Sequence, residues 1–333
     1  MSLRRIQMAG GYAMEHWKKI LAGLVAMAAG IVYATHSHAA APAVKAQAPG
    51  YYRMMLGDFE VTALSDGVLE LPATKILTST TPERVDQLLK RAYLSDPVPT
   101  SVNAFLVNTG SKLVMIDAGT GVLFGPSLGK LMANLKAAGY QPEQIDEIYI
   151  THMHGDHVGG LMDGGKIAFP NAIVRADKRE ADYWLSQANM DAAPADAKDF
   201  FKGAMDSINP YIAAGKFKPF EGATELVPGI SARPAYGHTR GHTVYMVQSK
   251  GQTMAVVGDI MHVASVQFPN PAVTITFDTD PKLAASARKK VFVDAARTGF
   301  WLAVAHLSFP GIGHLRSDGF GYVFYPVNYA IPK

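Results

Sequence analysis

The stretch Thr151-His152-Met153-His154-Gly155-Asp156-His157 gathers three imidazoles and a carboxylate. It follows the apolar run Ile145 to Ile150, which reads as a buried strand, so these side chains sit where that strand opens into a loop. Residues two apart in an extended segment point the same way, which lets His152 and His154 grip one ion. Gly155 bends the chain, and Asp156 and His157 beyond it face a second. Neutral imidazole and carboxylate, with no thiolate, suit zinc or a similar divalent transition metal. A solvated polar loop is the bland alternative.

Other groups that could do chemistry fall at similar places. Asp117 follows the apolar run Leu113 to Ile116, Asp259 follows Met254 to Val257, and His306 follows Trp301 to Ala305. A carboxylate placed directly after a buried strand is costly unless it is hydrogen-bonded. For Asp117 a turn-forming role is the competing reading. His238 and His242 share the phrase Gly237-His238-Thr239-Arg240-Gly241-His242-Thr243. Strand ends are rigid supports, as a precise site requires.

His-x-His-x-Asp-His after a strand resembles the signature of the metallo-β-lactamase superfamily. The resemblance implies that His152, His154 and His238 hold one metal ion, that Asp156, His157 and His306 hold the other, and that Asp259 bridges both. It places Asp117 behind the ligands, orienting them. His242 is expected to be structural, bonding across its turn. Arg240 stands where proline is usual. Two Zn2+ or similar ions are implied, with a metal-bridging water, ionised near neutral pH, as the nucleophile held over Asp156 and Asp259.

Val266-Gln267-Phe268, the phrase from His306 to His314, and Pro326-Val327-Asn328-Tyr329 are similar to the methyl parathion hydrolase group and its lactone- and aryl-ester-cleaving relatives. That resemblance implies a periplasmic hydrolase with an aromatic pocket for an aryl leaving group, and often a homodimer. Phe124, Trp184 and one of Phe200 or Phe201, with Phe201 preferred, are its candidate walls. His262, Ile275 and Phe277 are expected to tune the choice between a flat carbonyl and a tetrahedral phosphorus centre. Bulky Ile275 and Phe277 favour lactones and aryl esters, with phosphotriesters as a side activity. A dedicated phosphotriesterase is the alternative, ahead of a β-lactamase or a non-catalytic metal-binding scaffold.

The elements that must position these residues follow from apolar periodicity. Phe59 to Leu64 and Val68 to Leu71, around Ser65-Asp66-Gly67, read as one hairpin; Asn103 to Val107 and Leu113 to Ile116 read as a second. Leu128, Leu131, Met132, Leu135 and Ala138 recur at helical spacing, and Gly139 closes that helix. Helices are predicted over 178–188 and 195–214, and a strand over 225–232. This order fits an α/β fold of the αββα kind, two mixed sheets packed face to face with helices outside.

Composition bounds the rest. The net charge of +3 is accounted for by Arg4, Arg5, Lys18 and Lys19 against Glu15, so a nucleic-acid partner has no electrostatic support. Cysteine is absent, which removes disulfides and thiol nucleophiles. Lys18-Lys19, the apolar run Ile20 to Ala34 and Ser37-His38-Ala39 read as a signal peptide over 1–39, although Met14 is an alternative start and an uncleaved anchor the competing reading. A flexible lead-in is expected over 40–57 and one hydrolase domain over 58–333, periplasmic or secreted and without stable membrane insertion once the leader is cut.

Overall fold

Tyr52, Met54 and Leu56 are buried while their neighbours are not, the alternation of a half-buried strand. This strand, β1 (Tyr51–Leu56), pairs antiparallel with β2 (Phe59–Leu71). The expected lead-in over 40–57 is thus corrected: Tyr51 to Leu56 bury three side chains against the core, and of the described residues before them 43–50 carry no helix or strand. The computed structural model describes residues 18–19 and 43–331. The leader expected over 1–39 lies outside the described residues apart from Lys18 and Lys19. The chain divides into Met1–Gln47 and Ala48–Lys333, and both sheets belong to the second unit.

The first sheet continues from β2 through β3 (Val98–Asn108), β4 (Leu113–Ile116), β5 (Glu147–Tyr149) and β6 (Ile173–Arg175), antiparallel as far as β4 and parallel beyond it. The second comprises β7 (Thr224–Val227), β8 (Ile230–Pro234), β9 (Thr243–Ser249), β10 (Gln252–Val256), β11 (Trp301–Ala303), β12 (Ile312–Ser317) and β13 (Tyr322–Pro326). Only its β10–β11 pair is parallel.

The sheets pack face to face: Val61, Phe105, Val114 and Tyr149 of the first share one buried cluster with Ile230, Tyr245, Val256 and Ile312 of the second. Helices cover the outer faces. Leu131 and Leu135 of α1 (Leu131–Ala137), Trp184 of α2 (Lys178–Trp184), and Phe201, Ala204 and Ile208 of α3 (Lys198–Ala213) pack over the first sheet. Phe292 and Ala295 of α4 (Pro281–Thr298) pack over the second. Asp280 caps α4 by accepting from the backbone N–H groups of Lys282 and Leu283, and Gly299, left-handed at φ 72°, ends it. The αββα expectation holds. Among the described residues no helix is long and apolar enough to cross a membrane.

Two local expectations fail. Phe59 to Leu71 is one strand rather than a hairpin, and Ser65-Asp66-Gly67 is a bulge in its pairing with β3. The bulge turns Asp66 inward, where its carboxylate accepts from the Thr120 hydroxyl and from the N–H groups of Thr120, Gly129 and Leu131. Turn-type residues here anchor a loop that passes beside the site. The strand expected over 225–232 is instead the hairpin of β7 and β8, because Gly229 takes φ 84° and reverses the chain. Asp66→Ala would strand four donors, three of them buried, and urea unfolding is expected to show a loss of about 3 kcal/mol. A loss below about 1 kcal/mol would mean that those donors find other partners.

Candidate metal centre

Parallel strands deliver the site. Asp117 follows β4, the segment Thr151 to His157 follows β5, Asp259 follows β10 and His306 follows β11, so β4–β5 in one sheet and β10–β11 in the other aim their C-terminal ends at one place. His238 arrives from the turn before β9. Close backbone contacts make this convergence possible. A Cβ on Gly160 would sit 2.0 Å from the Ala118 carbonyl oxygen, and one on Gly258, at φ +50°, would sit 2.8 Å from Thr151 Cβ. Neither position has room for a side chain.

The structure gathers two donor sets, His152, His154, His238 and Asp259, and Asp156, His157, His306 and Asp259. In the first, Asp259 Oδ2 lies 3.5 Å from His152 Nε2 and 3.2 Å from His238 Nε2, and His154 Nδ1 lies 3.2 Å from His238 Nε2. In the second, Asp259 Oδ1 lies 3.1 Å from both His157 Nε2 and His306 Nε2. Asp156 Oδ2 lies 3.3 and 3.4 Å from the same two nitrogens. A tetrahedral ion about 2.0–2.1 Å from each donor sets the donors about 3.3 Å apart. The spacing therefore fits a divalent ion in each set. His152 Nε2, His157 Nε2 and Asp259 Oδ1 are buried without hydrogen-bond partners, which also fits donors facing a cation.

The far side of most rings is fixed. His238 Nδ1 donates to Asp278 Oδ1 and His306 Nδ1 to the Ser101 carbonyl, each at 2.9 Å. Asp117 serves both sets. Its Oδ2 accepts from His157 Nδ1 at 2.9 Å and from the Thr151 hydroxyl at 2.8 Å, and that hydroxyl is 3.1 Å from His152 Nδ1. With the Thr151 proton spent on Asp117, His152 Nδ1 must donate, which leaves its Nε2 lone pair facing the set. Asp117 itself takes a left-handed φ of 62°, a strained backbone for a non-glycine residue. His242 is not a donor of either set. Its Nε2 accepts from the Asp259 backbone N–H at 3.1 Å, so it braces Asp259.

Electrostatics divide the imidazoles of the metal-free protein. Burial drives His152 and His154 far below the ordinary imidazole range, aided by His157 and by His238 respectively. Burial also opposes charge on His238 and His306, but their carboxylate partners outweigh it and hold the pKa at about 9 and about 10. Asp259, Asp156 and Asp117 likewise raise His157 well above its usual value against burial. Burial works against ionised Asp156 and Asp259 too, yet the surrounding imidazoles keep both carboxyls well below the usual range.

The expected pocket residues separate. Phe200 and Trp184 flank His154 with ring centroids at 5.2 and 5.3 Å, and Phe124 lines a groove of about 390 Å³ with Leu123, Gly155 and Phe200. Phe201, the preferred one of its pair, is 1 % exposed in the core. It lies on the inward stripe of α3 with Ala204, Ile208 and Tyr211, and Phe200, one residue earlier on the helix, faces the groove. Ile275 is also core, packed with Val85, Leu89 and Val273. Phe277 stays near the site, 6.4 Å from His262 between ring centroids. His262 stacks on His306 at 5.1 Å and donates Nε2–H to Asp259 Oδ2 at 3.0 Å. Burial holds His262 near pKa 4. Asp278 and the buried Glu180 carry no sequence signal of their own. The first is three residues from Ile275 in an irregular segment, and the second stands at the capping position of a helix start.

Residues 97–298 match the metallo-beta-lactamase superfamily. The chain belongs to that superfamily, and its fold and donor sets are those of a metal-dependent hydrolase. It is similar to the hydrolase AbOPH, with a TM-score of 0.81 and 38% identity over 86% of this chain and 100% of that one. It is also similar to AidC, a dizinc quorum-quenching lactonase, with a TM-score of 0.79 and 27% identity over 85% of this chain and 99% of that one. An N-acyl homoserine lactonase of a Bacillus species is 26% identical over 159 residues, 48% of this chain and 55% of that protein. The chain thus spans only about half the length of that lactonase.

Ligand imidazoles must be neutral, so metal and protons compete. Carboxylate partners favour the protonated form of His157 well above the usual imidazole range, and below pH 9 the metal-free protein keeps protons on His238 and His306 as well. Their contribution to its stability is present at neutral pH and fades as the pH rises through 9 to 10. Adding zinc to chelator-treated protein at pH 7.5 in weak buffer is expected to release on the order of three protons per molecule, and apparent zinc affinity is expected to climb with pH up to that range. An indicator dye reads the release; no release at all would contradict the charge pattern.

Proposed function

We propose that this chain is a dinuclear zinc hydrolase that opens lactones and cleaves aryl esters, with phosphotriesters as slower substrates. The observation that carries the reading is the sharing of Asp259 between two donor sets, with the aromatic rings of Phe200 and Trp184 beside His154. The likeness to AidC and to the Bacillus lactonase supports the lactone part, and the likeness to AbOPH supports a hydrolase. The closer kinship with the methyl parathion hydrolase group rests on the C-terminal sequence phrases.

In this reading His152, His154 and His238 would hold one ion and Asp156, His157 and His306 the other, with Asp259 belonging to both donor sets. Ions bound there supply Lewis acidity toward a substrate oxygen and make water acidic enough to ionise near neutral pH. The chain's own residues supply orientation. Asp117, Asp278 and the Ser101 carbonyl hold the Nδ1 protons of His157, His238 and His306, so each Nε2 keeps its lone pair inward. His262, neutral at pH 7, donates to Asp259 Oδ2 and restrains that carboxylate's rotation. Phe200 and the buried Trp184 beside His154 exclude water from one flank, and the half-buried Phe200 offers flat apolar surface to an aryl or acyl group. Phe277, 6.3 Å from Phe200 between ring centroids, narrows the space to a shape suited to a planar carbonyl.

The leader-like N-terminus supports a periplasmic or secreted mature protein, and a chain without cysteine tolerates an oxidising compartment. N-terminal sequencing of the exported form tests this, with Ala40 as the expected first residue. For the activity, one zinc-loaded sample is assayed with dihydrocoumarin, an N-acyl homoserine lactone, an aryl acetate and methyl paraoxon. At least one lactone or ester is expected to exceed the phosphotriester in kcat/KM by about tenfold or more, a barrier difference of about 1.4 kcal/mol. Fast phosphotriester turnover beside negligible lactone and ester rates would favour a dedicated phosphotriesterase.

A further inference from the structure

Glu180 is fully buried, yet no cation pairs with it among the described residues. Its place in the sequence gives it an obvious local task. Asp177-Lys178-Arg179-Glu180 has the spacing of a capping box, in which the fourth residue reaches back to the first backbone N–H. Asp177 does cap α2, accepting from the Arg179 N–H at 2.8 Å. Glu180 does not reach back. Its Oε1 accepts from the Met153 N–H at 2.9 Å and its Oε2 from the Gly241 N–H at 2.7 Å.

Those two amides belong to different loops. Met153 sits between His152 and His154, and Gly241 sits between His238 and His242. We infer that Glu180 is a positioning residue that clamps the two loops together and so fixes all three imidazoles of the first donor set. Burying a carboxylate is costly unless its oxygens are well satisfied, and two charge-assisted bonds to backbone donors supply that. Two further observations support the clamp. A Cβ on Gly241 would lie 2.4 Å from the Glu180 backbone nitrogen, so glycine is needed for this loop to approach α2. One turn further along α2, the Tyr183 ring lies 4.4 Å beneath the Arg240 guanidinium, holding the same loop from outside. The second donor set receives no bond from Glu180.

The inference rests on the reading that the two sets hold metal ions, and its test does not require turnover. Full-length Glu180→Gln and Gly241→Ala proteins are loaded with zinc and titrated against a competing chelator. Cadmium-113 NMR on cadmium-loaded samples then reports each set, with His306→Ala marking the resonance of the second. Wild type is expected to show two bound ions. In both variants the first set is expected to weaken about 10- to 100-fold while the second changes less than about threefold. Gly241→Ala leaves the carboxylate intact, so the same selective loss in both variants separates loop clamping from a simple charge effect. Equal weakening of both sets, in step with a lower thermal midpoint, would make Glu180 merely structural and overturn the inference. So would unchanged affinity at both sets. Failure of wild type to bind two ions would instead sink the metal reading, and this inference with it.

Discussion

Asp259 faces two ways. Its Oδ2 points to His152 and His238, and its Oδ1 to His157 and His306, at 3.1 to 3.5 Å. Two cations a few ångströms apart repel each other strongly in a dry interior, and a shared anionic ligand lowers that repulsion. The geometry around this carboxylate constrains everything near it. Its backbone N–H is held by His242, its Oδ2 by His262, and the glycine before it lies so close to Thr151 that no side chain fits.

The two-sheet architecture explains how groups so distant in sequence reach one carboxylate. β4–β5 and β10–β11 are parallel pairs in different sheets, and each pair ends in two chemistry-bearing residues or loops. Packing through Val61, Phe105, Tyr245 and Ile312 locks the sheets face to face, so these ends cannot drift apart without opening the core. Around that frame a layer of buried polar groups sets ring orientation: Asp117 links both donor sets through His157 and Thr151, and Asp278 steadies His238. Such supports account for much of a metal site's affinity.

Much of this is legible in the sequence, for physical reasons. Imidazoles two apart after an apolar strand leave few interpretations, and Asp117, Asp259 and His306 each follow an apolar run that the fold uses as a strand. The failures have a common cause. Ser65-Asp66-Gly67 has turn chemistry, and only the partner strand β3 reveals that it makes a bulge. Phe200 and Phe201 are equivalent in composition, and a rotation of about 100° along α3 decides which one meets the groove. Glu180 has the look of a capping residue because its true partners, the amides of Met153 and Gly241, lie 27 and 61 positions away. Side chains that act through long-range backbone contacts leave no periodic trace.

The central claim is that one buried carboxylate is shared by two metal ions. Crystals of the zinc-loaded protein, measured above and below the zinc absorption edge, test it directly. The account predicts two anomalous peaks about 3.5 Å apart, one beside each oxygen of Asp259. A single peak, or peaks away from Asp259, would contradict it.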